Sequence, residues 1–254
     1  MFKSNLLRFL PVLGAVIILV ILEISAFKPS NFIWAAPLSL IILAGVLWKI
    51  SGARLRFAIQ FGIPPMGLLL GGLLFFLFME GYVVKQFLLI VLTIVIGVFL
   101  ETLRLYSQER PRYQTHSLEN MASYVQILAV FFWVVGLFSL ATFLQQQVWW
   151  LAILAGVMAG LMMWGEMIIS EANKAEVLAK ANLTTLLIAE LFFSLTFLPT
   201  SVYVNGLITV VVYYLLSGII RNWHLGIKEP SVIKRYILIS LGGIALVLLS
   251  AKWF

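Results

Sequence analysis

Cysteine is absent from the 254 residues, and so is aspartate; all ten acidic side chains are glutamate. Without a thiol there is no disulfide, no thiolate-held metal and no cysteine nucleophile. Without aspartate there is no aspartate-rich cradle for Mg²⁺–diphosphate and no aspartyl-protease dyad. Gly-x-Ser-Gly, His-Glu-x-x-His and the phosphate-binding P-loop are also missing, which removes further hydrolase and nucleotide chemistry. Charge is the third scarcity. Charged residues make up 11% of the chain, less than half of the roughly 25% a soluble domain uses to cover its surface.

Apolar residues fill that gap: they are 63% of the sequence, and mean hydropathy is +1.08. A hydrocarbon core of about 30 Å requires about 20 apolar residues at 1.5 Å each. Nine segments satisfy this: Phe9–Phe27, Phe32–Ile50, Leu55–Met79, Phe87–Tyr106, Met121–Leu144, Val148–Ile169, Ala181–Leu198, Val202–Ile220 and Tyr236–Phe254. The expected fold is therefore an all-α, polytopic integral membrane bundle of about nine helices. The count falls to eight if the third segment is re-entrant or the ninth does not span. No connector approaches the ~50 residues of a soluble domain, so one membrane-embedded domain over 1–254 is expected. Within it, 87–144, 148–198 and 202–254 read as helical hairpins that could be repeats.

The net charge of +7 marks one membrane face rather than a nucleic-acid surface. Fourteen of the seventeen Lys and Arg residues fall in alternate connectors, and only Lys28, Lys85 and Lys252 fall in the others. By the positive-inside rule this places the N-terminus in the cytoplasm and the C-terminus outside, in a cell-membrane protein. Lys3 and Arg8 ahead of an apolar run resemble a signal peptide. Ile24, however, stands where a cleavage site ending at Ala26 wants a small residue, so a retained anchor is expected.

Polar groups at membrane depth are the candidate functional residues. Counted from Ala181, Glu190 lies nine residues into helix seven, near the bilayer centre. An ionised carboxylate there costs at least about 2.5–3.5 kcal/mol, so the group should be protonated, paired or in contact with water. Ser194, one turn on, is placed to share a hydrogen bond with it. Glu166 ends a stripe of Ala152, Ala155, Ala159 and Met162/Met163 beside Gly156-x-x-x-Gly160, a pattern that lets helix backbones approach closely. Glu101 and Arg104 are spaced for an ion pair on helix four. His116 and His224 share the basic-rich side with Glu101 and Glu166, and would form a metal or acid–base site only if the fold gathered them. Pro64-Pro65 is a candidate break in helix three, followed by Gly67-x-x-x-Gly71.

Two functional classes fit these features. A transporter or permease for a small solute or lipid would use Glu190 and Glu166 as proton or cation sites and helix three as a mobile element. Alternatively, a non-catalytic membrane subunit or assembly protein would use the same acids as interhelical glue, toward a partner protein or a second copy. An intramembrane enzyme is a weaker reading. No cofactor is implied, and the expected surroundings are the lipid bilayer, with no nucleic acid.

Overall fold

The computed structural model describes residues 2–114, 116–169, 174–224, 226 and 229–251, with side chains throughout except at 2–7, 110 and 174. Among the described residues there are nine helices long and apolar enough to cross a membrane, and no strand. They are α1 (Phe2–Phe27), α2 (Phe32–Ile50), α3 (Leu55–Leu77), α4 (Tyr82–Gln108), α5 (Ser117–Phe143), α6 (Val148–Ile169), α7 (Lys174–Leu195), α8 (Val202–His224) and α9 (Pro230–Ser250). Hydrocarbon offers no partner to a backbone amide, and a helix satisfies its amides internally. The apolar runs alone therefore select this class. The end of the ninth expected span, 252–254, lies outside the described residues.

The chain divides into two compact units, Met1–Gln126 and Ile127–Phe254. Lipid tails are as apolar as leucine, so burying a leucine gains little in a membrane, and close backbone approach holds helices together instead. In the first unit α1 packs on α2 and α4, and α3 packs on the same two helices. The contacts run through small residues. Gly14 faces Val46, Gly72 faces Leu92, and Gly97 faces Ala15. α3 is the most enclosed helix of this unit, burying Gly62, Gly67, Gly71 and Gly72 with Leu68 and Leu69.

Pro64 and Pro65 are also buried, inside a helix that continues through them. α3 is one continuous helix of 23 residues. Two adjacent prolines remove two amide donors from its interior, but flanking turns on both sides keep the helical path.

At the basic-rich end the connectors are tied down by side chains. The Ser107 hydroxyl and the Gln108 amide donate to the Ile50 carbonyl at 3.2 and 3.4 Å, so α4 serves one of the carbonyls that the end of α2 leaves unpaired. Tyr113 accepts the Leu118 amide at 3.0 Å at the start of α5. Burial pushes the Tyr113 phenol above its ordinary pKa.

In the second unit α6 and α7 form the tightest pair. Gly156 lies against the Thr185 carbonyl and, at 2.9 Å from where a Cβ would stand, the Ala189 methyl. Gly160 lies against the Thr185 hydroxyl and the Ala181 carbonyl. The stripe expected on α6 is buried throughout: Ala152, Ala155, Ala159, Met162, Met163 and Glu166. Phe138 of α5 stacks on Phe192 of α7 with centroids 4.0 Å apart. α9 is peripheral. It meets α8 where Tyr236 covers Gly218, and Ser240 is its one buried residue among those described.

Candidate functional site

α7 begins at Lys174, seven residues before the apolar run that suggested Ala181. Glu190 is therefore sixteen residues from the start of the helix and five from its end at Leu195. At 1.5 Å per residue that is roughly 8 Å from the helix midpoint, toward the basic-poor end. Charged Lys174, Glu176 and Lys180 extend the helix beyond its apolar stretch, because helical hydrogen bonding does not stop where hydrocarbon does.

The side of α7 that carries Glu190 is the second finding. Ala181, Thr185 and Ala189 face α6, and Val177, Thr184, Ile188, Phe192 and Leu195 are buried. Glu190 and Ser194 are exposed on the opposite side. The Ser194 hydroxyl donates to the Glu190 backbone carbonyl at 2.8 Å, so it bonds to the helix rather than to the carboxyl group. Asn182, two turns before Glu190 and about 4 Å from the helix midpoint, is exposed on the same side. The sequence reading passed over it. Its signal was available as a polar residue repeating at multiples of four with Glu190 and Ser194.

Glu166 has the opposite character. It is 5% exposed near the end of α6. The small-residue stripe thus carries a carboxyl group into contact with protein, as its spacing suggests.

Glu101 and Arg104 form the expected pair on α4. The guanidinium donates through Nε to Glu101 Oε2 at 2.9 Å and through Nη2 to Oε1 at 2.6 Å. Its remaining nitrogen, Nη1, donates to Glu109 Oε1 at 2.8 Å. Arg104 is only 3% exposed, and a fork satisfied on both sides is the arrangement in which arginine tolerates burial. The Arg104 guanidinium holds the Glu109 carboxyl below its ordinary pKa. Glu109 is the residue that the sequence reading missed here, because it lies beyond the i,i+4 reach of the helix rule.

The two histidines go separate ways. His116 Nδ1 is 2.8 Å from Glu119, and His224 Nδ1 is 3.7 Å from Glu176 on α7, which also lies 3.9 Å from Lys180. Among the described residues no group of three or more metal-ligating side chains comes together.

A cavity of about 690 Å³ opens at the basic-poor end of the second unit, between the end of α5 and the α7–α8 turn. Thr142, Thr196, Thr200, Ser201 and Asn205 give it an uncharged, hydroxyl-rich wall. Asn205 is occupied structurally, accepting from Thr200 at 2.6 Å and donating to the Leu195 carbonyl at 3.2 Å. Glu190, Glu166 and Glu101 do not line this cavity.

The described arrangement comprises a forked arginine that ties α4 to the turn at its end, a buried carboxyl group on α6, and a polar stripe on an exposed side of α7. Comparison with protein-family models, with curated proteins and with solved structures finds no match to this chain.

Proposed function

We propose that this integral membrane protein is a non-catalytic subunit or assembly component, whose acids at membrane depth make contacts between helices. The observation that carries this reading is the outward position of Glu190. A coupled transporter places its titrating carboxyl where substrate and water converge, at a helix break or in a central cavity. Glu190 stands instead on the exposed side of an unbroken helix. The cavity in the same unit is lined by apolar and hydroxyl-bearing side chains, none of them charged. Polar groups on a lipid-facing surface are costly, and covering them with protein removes that cost.

The transport reading, which the sequence puts first, keeps one supporting feature: a proline pair within a largely buried α3. A single pair of variants separates the two readings. Glu190→Gln keeps the shape and hydrogen-bonding capacity of the side chain but does not titrate, whereas Glu190→Leu removes both properties. For a subunit, Glu190→Gln leaves abundance and the mass of the detergent-extracted complex unchanged, and Glu190→Leu lowers that mass. A proton conductance of the purified protein in liposomes that Glu190→Gln abolishes would overturn the subunit reading in favour of transport.

A further inference from the structure

We infer that the cavity between the end of α5 and the α7–α8 turn binds the uncharged, hydroxyl-rich headgroup of a neutral glycolipid. Its walls all come from the second unit, between Phe138 and Asn205. The inference goes beyond the subunit reading and is separate from it, because Glu190 does not line the cavity.

The argument starts from a hydroxyl group that bonds to nothing. A threonine inside a helix turns its hydroxyl back onto the carbonyl four residues earlier when no other partner is offered. Thr93, Thr102, Thr184, Thr185 and Thr209 do so, at 2.7, 2.8, 2.9, 3.0 and 2.9 Å. Thr142, in the last turn of α5, does not. Among the described residues its hydroxyl has no partner, and it lines the cavity. Two neighbours on the wall have hydrogens left over among the described residues. Ser201 accepts the Val204 amide at 3.4 Å without donating its own hydrogen. Asn205, 5% exposed, gives one carboxamide hydrogen to the Leu195 carbonyl and keeps the other.

Charge decides what such a wall holds. The stretches that supply it, 127–165 and 191–220, contain no Lys, Arg, His, Asp or Glu. A phosphate headgroup would enter without a counterion, and desolvating an unpaired charge is costly. A hydroxyl group both donates and accepts, so it suits Thr142, Ser201 and Asn205 alike. Meeting all three takes several hydroxyls on one ligand, which favours a sugar over the single hydroxyl of a diacylglycerol. Phe138, Phe143 and Tyr203 give the same wall flat apolar surface for the C–H faces of a sugar ring and the first carbons of the acyl chains. The volume of about 690 Å³ falls in the range of roughly 300–1,000 Å³ typical of small-molecule sites. Position favours a lipid over a dissolved sugar. The cavity lies where helices end and includes Val148, the neighbour of Trp149, whose indole donates to Gln147 at 2.8 Å. Tryptophan at a helix end marks the depth at which headgroups lie.

The test uses the full-length protein in a polyoxyethylene detergent, which carries no sugar. It is titrated with glucosyldiacylglycerol and with phosphatidic acid of the same acyl chains, and bound lipid is read by native mass spectrometry. The glucosyl lipid should bind at least about fivefold more tightly than phosphatidic acid. Thr142→Val keeps the shape of the side chain and breaks no bond within the protein, so the fold is preserved. It should weaken the glucosyl lipid about fivefold, the contribution of one neutral hydrogen bond, and leave phosphatidic acid unchanged. Thr142→Ser should restore binding. Equal affinity for the two lipids would overturn the proposal, as would a Thr142→Val protein that binds the glucosyl lipid like the parent. Diacylglycerol binding as tightly as the glucosyl lipid would also overturn it, since the sugar would then go unread. Displacement of the lipid by free glucose would assign the cavity to a dissolved sugar and overturn the lipid assignment. None of these outcomes bears on Glu190, so the subunit reading is decided separately, by the mass of the extracted complex.

Discussion

A single methyl group at Gly156 should loosen the second unit measurably. In Gly156→Ala the new Cβ meets the Thr185 carbonyl oxygen and stands 2.9 Å from the Ala189 methyl. Carbon atoms rest at about 3.5–4.0 Å from one another, so the methyl contact alone falls short by roughly half an ångström to one ångström. Neither neighbour can rotate away, since one is backbone and the other has no χ angle. α6 and α7 must therefore separate, which also opens the Gly160 contact one turn along. Overpacking of this kind costs about 1–3 kcal/mol, and the helix propensity of alanine over glycine returns at most about 1 kcal/mol. The net expectation is a loss of about 0–2 kcal/mol. Gly242→Ala on α9 has nothing within 4 Å of the new methyl and retains only the propensity gain. The two variants should differ by about 2 kcal/mol, roughly thirtyfold in the folded-to-unfolded ratio. Titration with sodium dodecyl sulfate, followed by tryptophan fluorescence and circular dichroism, measures this difference. Equal stability of the two variants would refute the close-approach account of how α6 and α7 are held together.

Two further outcomes follow from the basic-rich end. Arg104→Ala should destabilise the protein by about 1.5–3 kcal/mol, the range for charged hydrogen bonds, because Glu101 and Glu109 both lose their fork. Since Glu109 is held below its ordinary value of 4.5, its contribution is present at neutral pH and disappears as pH falls through the depressed value. Glu109→Gln should therefore lower neutral stability and flatten the acid limb of the curve, and an unchanged acid-unfolding profile would contradict this. For orientation, reporter fusions after Ala251 should place the C-terminal side of α9 outside the cytoplasm, as the distribution of Lys and Arg requires; a cytoplasmic signal there would contradict the expected sidedness.

The helices were legible because the bilayer imposes a length, and a chain with so few charges has little freedom to satisfy it otherwise. Their ends were not legible to the same degree. Hydropathy falls at Lys180, yet the α7 backbone continues to Lys174, and that difference moved Glu190 away from the helix centre. Packing partners were legible where small residues recur, as in the α6 stripe that buries Glu166. The side of α7 that faces outward required knowing that Gly156 and Gly160 contact Thr185, Ala181 and Ala189. Ala181, Thr185 and Ala189 are themselves spaced by four, so the pattern was present, but nothing in one helix says which of its faces a neighbour will take. Glu109 shows the same limit at short range. Its bond to Arg104 depends on the turn that ends α4 rather than on helical spacing.

The bonds from Ser107 and Gln108 to the Ile50 carbonyl also set a clock. The donors are 57 and 58 residues downstream of the acceptor. Synthesis proceeds at about 5–20 residues per second, so roughly 3–11 s separate the emergence of the two partners. Throughout that interval α3, with its four buried glycines, has α2 as a neighbour but not yet α4. The first unit can close only when the end of α4 arrives. Slowing translation across 82–108 would prolong the exposure of this half-built surface, and a membrane quality-control factor that binds unpaired helices would meet the nascent chain there first.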